Sequence, residues 1–422
     1  MLNCNDIKNL SNNEQFKKSV GELYTDQNGL DYQVKRYQEV YDAHMAEYNG
    51  DVMFVSSPGR IEVCGNHTDH NNGKVLCASI SVDTIACVTP NDENVIVVNS
   101  FGYPPVTVSL DNLEVDSALY GKSDALVKGV CKYLQDNGYK IGGFYATTTS
   151  DVFKGAGVSS SASFEVLVAE IINLLYNDGQ FDKLTKAKAS HYAESVFFGK
   201  PCGLLDQSAI ALGGVSYIDF KSTKNPKIES IPWNFDEVDI VLTNTGGDHA
   251  NLTPHYASIR EDMEAVAKVL GHKTLRKVKE EDFYASIPEL QSKVSGRAIL
   301  RAMHFYNENR RVVDAANAIK KGNIKRFAKA INESGNSSYT MLQNCYPCDD
   351  IAQRIPLGIN LSKQMKQVKA VRVHGGGFAG TCLAFVEKSG TSEYVKMMKT
   401  VFGDENVFVI GVRNHGTCKV EM

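Results

Sequence analysis

The chain has almost no surplus charge and no basic tract. Its 422 residues include 45 Lys or Arg against 49 Asp or Glu, and no basic stripe is interleaved with aromatics, so neither nucleic acid nor an anionic membrane surface is the expected partner. A small neutral or anionic ligand is expected instead. No run approaches the about 18 consecutive apolar residues of a membrane span, and the opening stretch MLNCNDIKNLSNNEQFKKSV lacks the apolar core of a secretory signal. The expectation is a cytoplasmic protein with no membrane contact. A disulfide framework is also missing. The 10 cysteines are scattered, and Cys77, Cys87, Cys131 and Cys382 lie in apolar surroundings, as reduced core thiols do. The one close pair, Cys345 and Cys348, has no second CxxC and no histidine cluster beside it. Zinc needs four ligands, so the pair reads as two loop cysteines. Repeats and low-complexity tracts are absent. What is present is 43% hydrophobic content over a length that suits two packed domains of about 200 residues each.

Periodicity orders the elements. Val34, Tyr37, Val40, Tyr41 and Met45 recur at helical spacing between Tyr32 and Tyr48, and a strand over Val52 to Val55 follows. That strand delivers the polar, turn-rich segment SSPGRIEVCGNHTDHNNGKVL, Ser56 to Leu76. From Lys74 to Asn99 short β-branched runs alternate with turn residues, as in a half-buried antiparallel sheet. After a helix over Leu126 to Leu134, a strand over Phe144 to Thr149 leads into a Gly/Ser loop and an amphipathic helix carrying Phe164, Leu167, Val168, Ile171 and Leu175. Helices over Leu184 to Phe198 and Leu204 to Leu212 precede a strand at VSYIDF. The polar stretch after it places a domain boundary at 222/223, giving domains 1–222 and 223–422. The second half holds helices Thr253 to Leu270 and Ile299 to Lys320. It ends in helix Leu361 to Gln367, strands Ala370 to Val373 and Thr381 to Val386, helix Glu393 to Val401 and strand Asn406 to Val412, an order that predicts an α+β sandwich of the ferredoxin-like type.

Three segments could carry chemistry. In Gly155-Ala-Gly-Val-Ser-Ser-Ser-Ala-Ser163, two glycines permit close backbone approach, and the following helix aims its free N–H groups at the loop. This composition serves an anion site or a capped linker, and it is neither a P-loop nor a kinase glycine loop. His374-Gly-Gly-Gly-Phe-Ala-Gly380 contains a literal GxGxxG, but the strand-like TCLAFVEK after it excludes dinucleotide binding. Glu194 shares a helical stripe with Ala187, His191 and Phe198 and is expected to face inward. Asp206 lies among apolar neighbours in the first turn of a short helix. A buried carboxylate needs a cation, a metal or a proton, and either acid could equally be a cap or an ion-pair partner.

Pro58-Gly-Arg60 through Gly65-Asn-His67-Thr-Asp69, the Gly155 to Ser163 loop and Gly375-Gly-Gly-Phe-Ala-Gly380 resemble, in order, the three signature motifs of the GHMP kinases, the first being similar to the galactokinase signature. Pro201-Cys-Gly-Leu-Leu-Asp-Gln207, Thr253-Pro-His-Tyr256 and Arg301-Ala-Met-His304 with Glu308-Asn-Arg-Arg311 resemble galactokinase segments too. The resemblance implies an α+β GHMP kinase fold, with an N-terminal ribosomal-S5-domain-2-like domain and a C-terminal ferredoxin-like α/β sandwich. It implies transfer of the ATP γ-phosphate to the C1 hydroxyl of galactose by a monomer. It gives Asp206 the role of catalytic carboxylate with Arg60 as its cation. It places sugar contacts on Asn66, His67, Asp69, Gly203 and Tyr256, phosphate contacts on Gly155, Gly157, Ser159, Ser160 and Ser161, and Mg²⁺ on Ser161 and Glu194. Amides, imidazoles and carboxylates suit sugar hydroxyls, which both donate and accept. Galactokinases usually have Glu at the position of Asn66 and Tyr at that of His70. Another galacto-configured sugar, such as galacturonate, N-acetylgalactosamine or arabinose, is therefore an alternative substrate, and a catalytically silent sugar sensor is an alternative class.

Overall fold

The computed structural model describes residues 10–24, 29–152, 157–200, 202–247, 252–347, 349–378 and 380–421. In chain order, α1 (Glu14–Leu23) and α2 (Gly29–Glu47) precede β1 (Met53–Cys64), β2 (Lys74–Asn91), β3 (Val95–Ser100), β4 (Val106–Ser109), α3 (Ser123–Asp136) and β5 (Gly143–Ser150). Next come α4 (Ser160–Tyr176), α5 (Lys183–Tyr192), α6 (Leu205–Leu212), β6 (Val215–Asp219) and β7 (Lys227–Ile231). The second lobe has β8 (Val238–Asn244), α7 (Thr253–Val269), α8 (Glu280–Ala285), α9 (Ile287–Leu290), α10 (Gly296–Lys320) and α11 (Ile324–Ser337). It closes with α12 (Arg354–Ser362), β9 (Val368–Val373), β10 (Thr381–Glu387), α13 (Thr391–Phe402), β11 (Val407–Ile410) and β12 (Cys418–Val420).

The first sheet is built on β2, which pairs with β1 along its length, with β6 through its first residues and with β5 through its last. Alternation along β1 and β2 sorts side chains to two faces. Phe54, Ile85 and Cys87 pack under α1 and α2, whereas Met53, Val55, Ala86 and Val88 pack under α3 and α4. Because helices cover both faces, every residue of β1 is buried. β1 and β2 are therefore not half-buried as the alternating pattern predicts, whereas β3 and β4 do alternate buried with more exposed residues. Two of the expected short runs fuse into the single strand β2, and β3 runs parallel to β5. The polar segment differs as well: its first half continues β1 to Cys64, and only the stretch from Gly65 to Gly73 turns. Pro58 is tolerated inside β1 because the ladder shifts register between Pro58 and Arg60, where no paired N–H is required of it.

The second sheet is wholly antiparallel in the order β11-β8-β10-β9, the arrangement of a ferredoxin-like βαββαβ unit. Cys382, Ala384 and Val386 of β10 face α12 and α13, while Leu383 and Phe385 face α10 and α11. The terminal helix of the expected pattern lies at Arg354–Ser362 rather than over Leu361 to Gln367. The 222/223 division falls inside the β6-β7 hairpin, which belongs to the first sheet, and β12 returns to pair with β1. The two lobes share a core. Ile61, Val63, Leu76 and Ile80 of the first sheet pack with Val312, Ile319, Phe327 and Leu383 of the second lobe, so the end of β1 and the turn after it are held between the lobes.

Candidate active site

The centre of the site is an ion pair across the first lobe. Arg60, at the β1 irregularity, donates from Nε to Asp206 Oδ1 and from Nη2 to Oδ2, both at 2.7 Å. This planar fork fixes direction as well as charge. Nη1 of Arg60 donates to the carbonyl of Gly157, and its backbone N–H donates to Val158 at 3.2 Å. One arginine thus ties Asp206 to the Gly/Ser loop. Ser159, at φ 63°, donates its hydroxyl to the same carboxylate. Burial opposes ionisation of Asp206, but the Arg60 charge and these hydrogen bonds outweigh it and hold the carboxyl below the ordinary carboxylate range. Its side chain remains 34% exposed, so a substrate can reach it.

The turn at Gly65 to Gly73 supplies a second acid. Asp69 accepts from the N–H of His70 at 3.0 Å, and a Cβ on Gly203 would fall 1.6 Å from Asp69 Oδ2. Glycine is thus what lets the Asp206 segment close over Asp69. Burial and then the nearby Asp206 charge push the Asp69 carboxyl up. The two acids act on one another, with their affinities for protons driven apart. His67, also at positive φ (55°), donates from Nε2 to the carbonyl of Gly376 at 2.9 Å, and burial lowers its pKa to about 4. Tyr256 at the start of α7 donates to Gly377 at 3.0 Å, tying α7 to the same turn between β9 and β10.

Asn66 is fully buried and spends its amide on protein groups. It donates to Glu62 Oε1 (3.0 Å) and the carbonyl of Gly375 (2.7 Å) and accepts from Ser338 (3.1 Å) and Asn344 (2.8 Å). Glu308 of α10 grips the backbone on either side: its Oε1 accepts from the N–H groups of Gly65 (2.9 Å) and Asn66 (3.3 Å) and its Oε2 from Arg311 (2.7 Å). Burial resists the Glu308 charge, but Arg311, Arg372 and the Ser334 hydroxyl overcome it and hold the carboxyl well below its usual range.

A third cluster lies on the opposite side of the Gly/Ser loop. α5 ends at Tyr192 and passes into a π turn, Ala193–Phe197, that carries Glu194 inward; such widened turns recur at functional sites. Ser161, in the first turn of α4, donates to Glu194 Oε1 at 3.1 Å, and Gln207 donates to Oε2 at 2.7 Å. A hydroxyl and a carboxylate suit a hard divalent cation. Among the described residues no group of three or more His, Cys, Asp or Glu could hold a metal, so a cation at Ser161 and Glu194 would draw its remaining ligands from a nucleotide and water. Ser160 opens α4 beside them, and Gly155 lies outside the described residues.

Sequence reasoning overlooked Glu165, Glu62 and the grip of Glu308. Glu165 is buried next to Glu194, and burial followed by that charge pushes it well above the ordinary range. A signal existed: α4 is apolar nearly all round, so an acid within it must be buried. His374 Nε2 accepts from the N–H of Glu62 at 3.1 Å. Ala379 and Cys348 lie outside the described residues, Cys345 is buried, and the described cysteines are free thiols. No described helix is long and apolar enough to cross a membrane.

Known proteins resemble this chain along most of its length. Residues 38–90 match the model of the galactokinase galactose-binding signature, and residues 125–214 match the GHMP kinase N-terminal domain. The galactokinase of Pyrococcus furiosus is 32% identical over 335 residues, covering 79% of this chain and 89% of that protein. That of Clostridium tetani is 30% identical over 340 residues, covering 79% and 83%. The fold is similar to that of Lactococcus lactis galactokinase complexed with galactose, with a TM-score of 0.80 at 24% identity over 90% of this chain and 99% of that one. Methanococcus jannaschii mevalonate kinase gives a TM-score of 0.62 at 15% identity, covering 87% and 100%.

Proposed function

The chain belongs to the galactokinase family of the GHMP kinases, and from that membership we propose that it transfers the γ-phosphoryl group of ATP to the C1 hydroxyl of galactose, as a cytoplasmic monomer. The observation that carries the residue roles is the Arg60–Asp206 fork, which stands between the Asp69 turn on one side and the Gly/Ser loop on the other. Phosphoryl transfer asks a protein for position and charge neutralisation more than for covalent chemistry. Asp206, kept ionised by Arg60, accepts the hydrogen of the sugar C1 hydroxyl as charge leaves that oxygen. Arg60 holds the carboxylate in place and keeps its second edge on the loop that cradles the phosphates.

Asp69 takes adjacent sugar hydroxyls, and His67, neutral in this environment, and Tyr256 border the same space together with the backbone at Gly203. Asn66, whose amide is committed to protein partners, serves the sugar site by holding the turn against the second lobe. Gly155, Gly157 and the serines Ser159, Ser160 and Ser161 line the phosphate end. Ser161 and Glu194 hold Mg²⁺, which when bound neutralises charge on the phosphate oxygens. A catalytically silent sugar sensor would have no use for two separately assembled acid centres, Asp206 with Arg60 and Glu194 with Ser161.

The test is ADP release with Mg-ATP against galactose, N-acetylgalactosamine, galacturonate, fucose, arabinose and glucose. Turnover confined to galactose is expected. Turnover chiefly on another sugar would overturn the substrate assignment, and galactose binding without turnover on any sugar would overturn the activity.

A further inference from the structure

Among the described residues, the buried acids that form ion pairs do so with buried cations, with a single departure; Glu165, which has no cation, is instead pushed up towards its protonated form. Among the described residues, Asp83 is paired with Arg36 and Arg413, Glu62 with Arg372, Glu308 with Arg311 and Glu170 with Lys186, and every one of those cations is itself at most 12% exposed. Glu194, 2% exposed, is paired at 2.8 Å with Lys200, whose side chain is 57% exposed. A buried carboxylate therefore depends on a cation that stands in solvent. Lysine is a compact point charge on a flexible stem, without the fork that locks arginine in place, so it can leave with little loss of packing.

The carboxylate is oriented for such an exchange. Gln207 holds the inner oxygen, Oε2, at 2.7 Å, while the outer oxygen, Oε1, receives both the Lys200 ammonium and, at 3.1 Å, the Ser161 hydroxyl. The backbone of Lys200 is anchored separately, its N–H donating to the Glu194 carbonyl at 3.1 Å, so the side chain can swing without the loop moving. That loop leads directly to Gly203 and Asp206. The charge of Lys200 already acts on both Asp206 and Tyr256.

From this we infer that Lys200 is a tethered stand-in for the divalent cation: it neutralises Glu194 in the metal-free enzyme, Mg²⁺ displaces it, and the released ammonium turns to the phosphoryl oxygens beside Asp206. The inference rests on reading Glu194 as the metal-binding carboxylate. Its consequence is competition. Removing the tethered charge should make metal bind more tightly while making transfer slower, a combination that loss of a merely structural contact would not produce.

The experiment is a Mn²⁺ titration, followed by electron paramagnetic resonance, of the full-length protein with ADP, comparing wild type with Lys200→Met, Lys200→Arg and Glu194→Gln, alongside kcat in saturating Mg-ATP. Loss of one charge-assisted contact predicts a half-saturating Mn²⁺ concentration about tenfold lower in Lys200→Met, with kcat reduced about tenfold or more. Lys200→Arg, which keeps the charge, should lie closer to wild type in both. If Lys200→Met binds Mn²⁺ as wild type does while Glu194→Gln binds it weakly, the stand-in role is wrong and the metal site stands. If Glu194→Gln also binds as wild type does, the metal assignment itself is wrong and the inference falls with it.

Discussion

Asp206 and Glu194 are both acids drawn inward on neighbouring stretches of the first lobe, and they are neutralised in opposite ways. Asp206 is held by both arms of a buried arginine, which also grips the Gly/Ser loop. Glu194 is held by Gln207 on one oxygen and by one exposed lysine and one serine on the other. A carboxylate that must keep one position and enter the reaction ionised is given a permanent, bidentate partner. One proposed to accept an incoming ion has a partner that can leave. The turn from Gly65 to Gly73 follows the first pattern. Glu308 is buried against Arg311 and spans the backbone of Gly65 and Asn66, so the second lobe fixes the turn instead of merely covering it.

The comparison breaks first at Asp206. Asp206→Asn keeps the shape but cannot take a proton, and kcat should fall about 10³-fold with the galactose KM little changed; Glu194→Gln should instead raise the Mg²⁺ requirement. Steady-state kinetics at varied sugar and metal separate the two, and equal responses would erase the distinction. Glu308→Ala leaves Arg311 without its partner and the turn without its grip, so denaturant unfolding should show a loss of about 3 to 5 kcal/mol together with a raised galactose KM. An unchanged midpoint would mean that the turn holds itself.

Acid sharpens the contrast. Burial holds His44 and His304 at pKa values of about 4, against about 6.5 in an unfolded chain. Below pH 6.5 the unfolded state therefore binds more protons, and stability is lost as pH falls from about 6.5 to about 4, by roughly 3 kcal/mol for each histidine. Asp206 stays ionised over that window because its carboxyl lies below the ordinary range. Unfolding measured at about pH 8 and about pH 5 should differ strongly, while turnover per folded molecule should not fall through Asp206. A flat stability profile would contradict the buried, neutral state of these histidines. The smallest expected effect is at Gly203→Ala, whose Cβ would collide with Asp69; the galactose KM should rise about tenfold, and an unchanged KM would remove Asp69 from the sugar site.

Much of this was legible in sequence because it is carried by local chemistry. The ferredoxin-like character of the second lobe follows from the order of its strands and helices after Ala370, and the inward turn of Glu194 follows from its apolar stripe. What could not be read depends on distant partners. Nothing local distinguishes Ser56 to Cys64 from a loop; the segment becomes a strand because β2 pairs with it along its length. Nothing near Asn66 announces that Glu62, Ser338 and Asn344 will consume its hydrogen bonds. A lysine on an exposed loop looks like any other until the carboxylate beneath it is seen.

The most direct test of the account is phosphorus NMR of the product formed from galactose and Mg-ATP by wild type and by Asp206→Asn. The account predicts an anomeric sugar phosphate from wild type and only a trace from the variant at equal protein and time. A product phosphorylated elsewhere on the sugar, or equal yields from the two proteins, would contradict it.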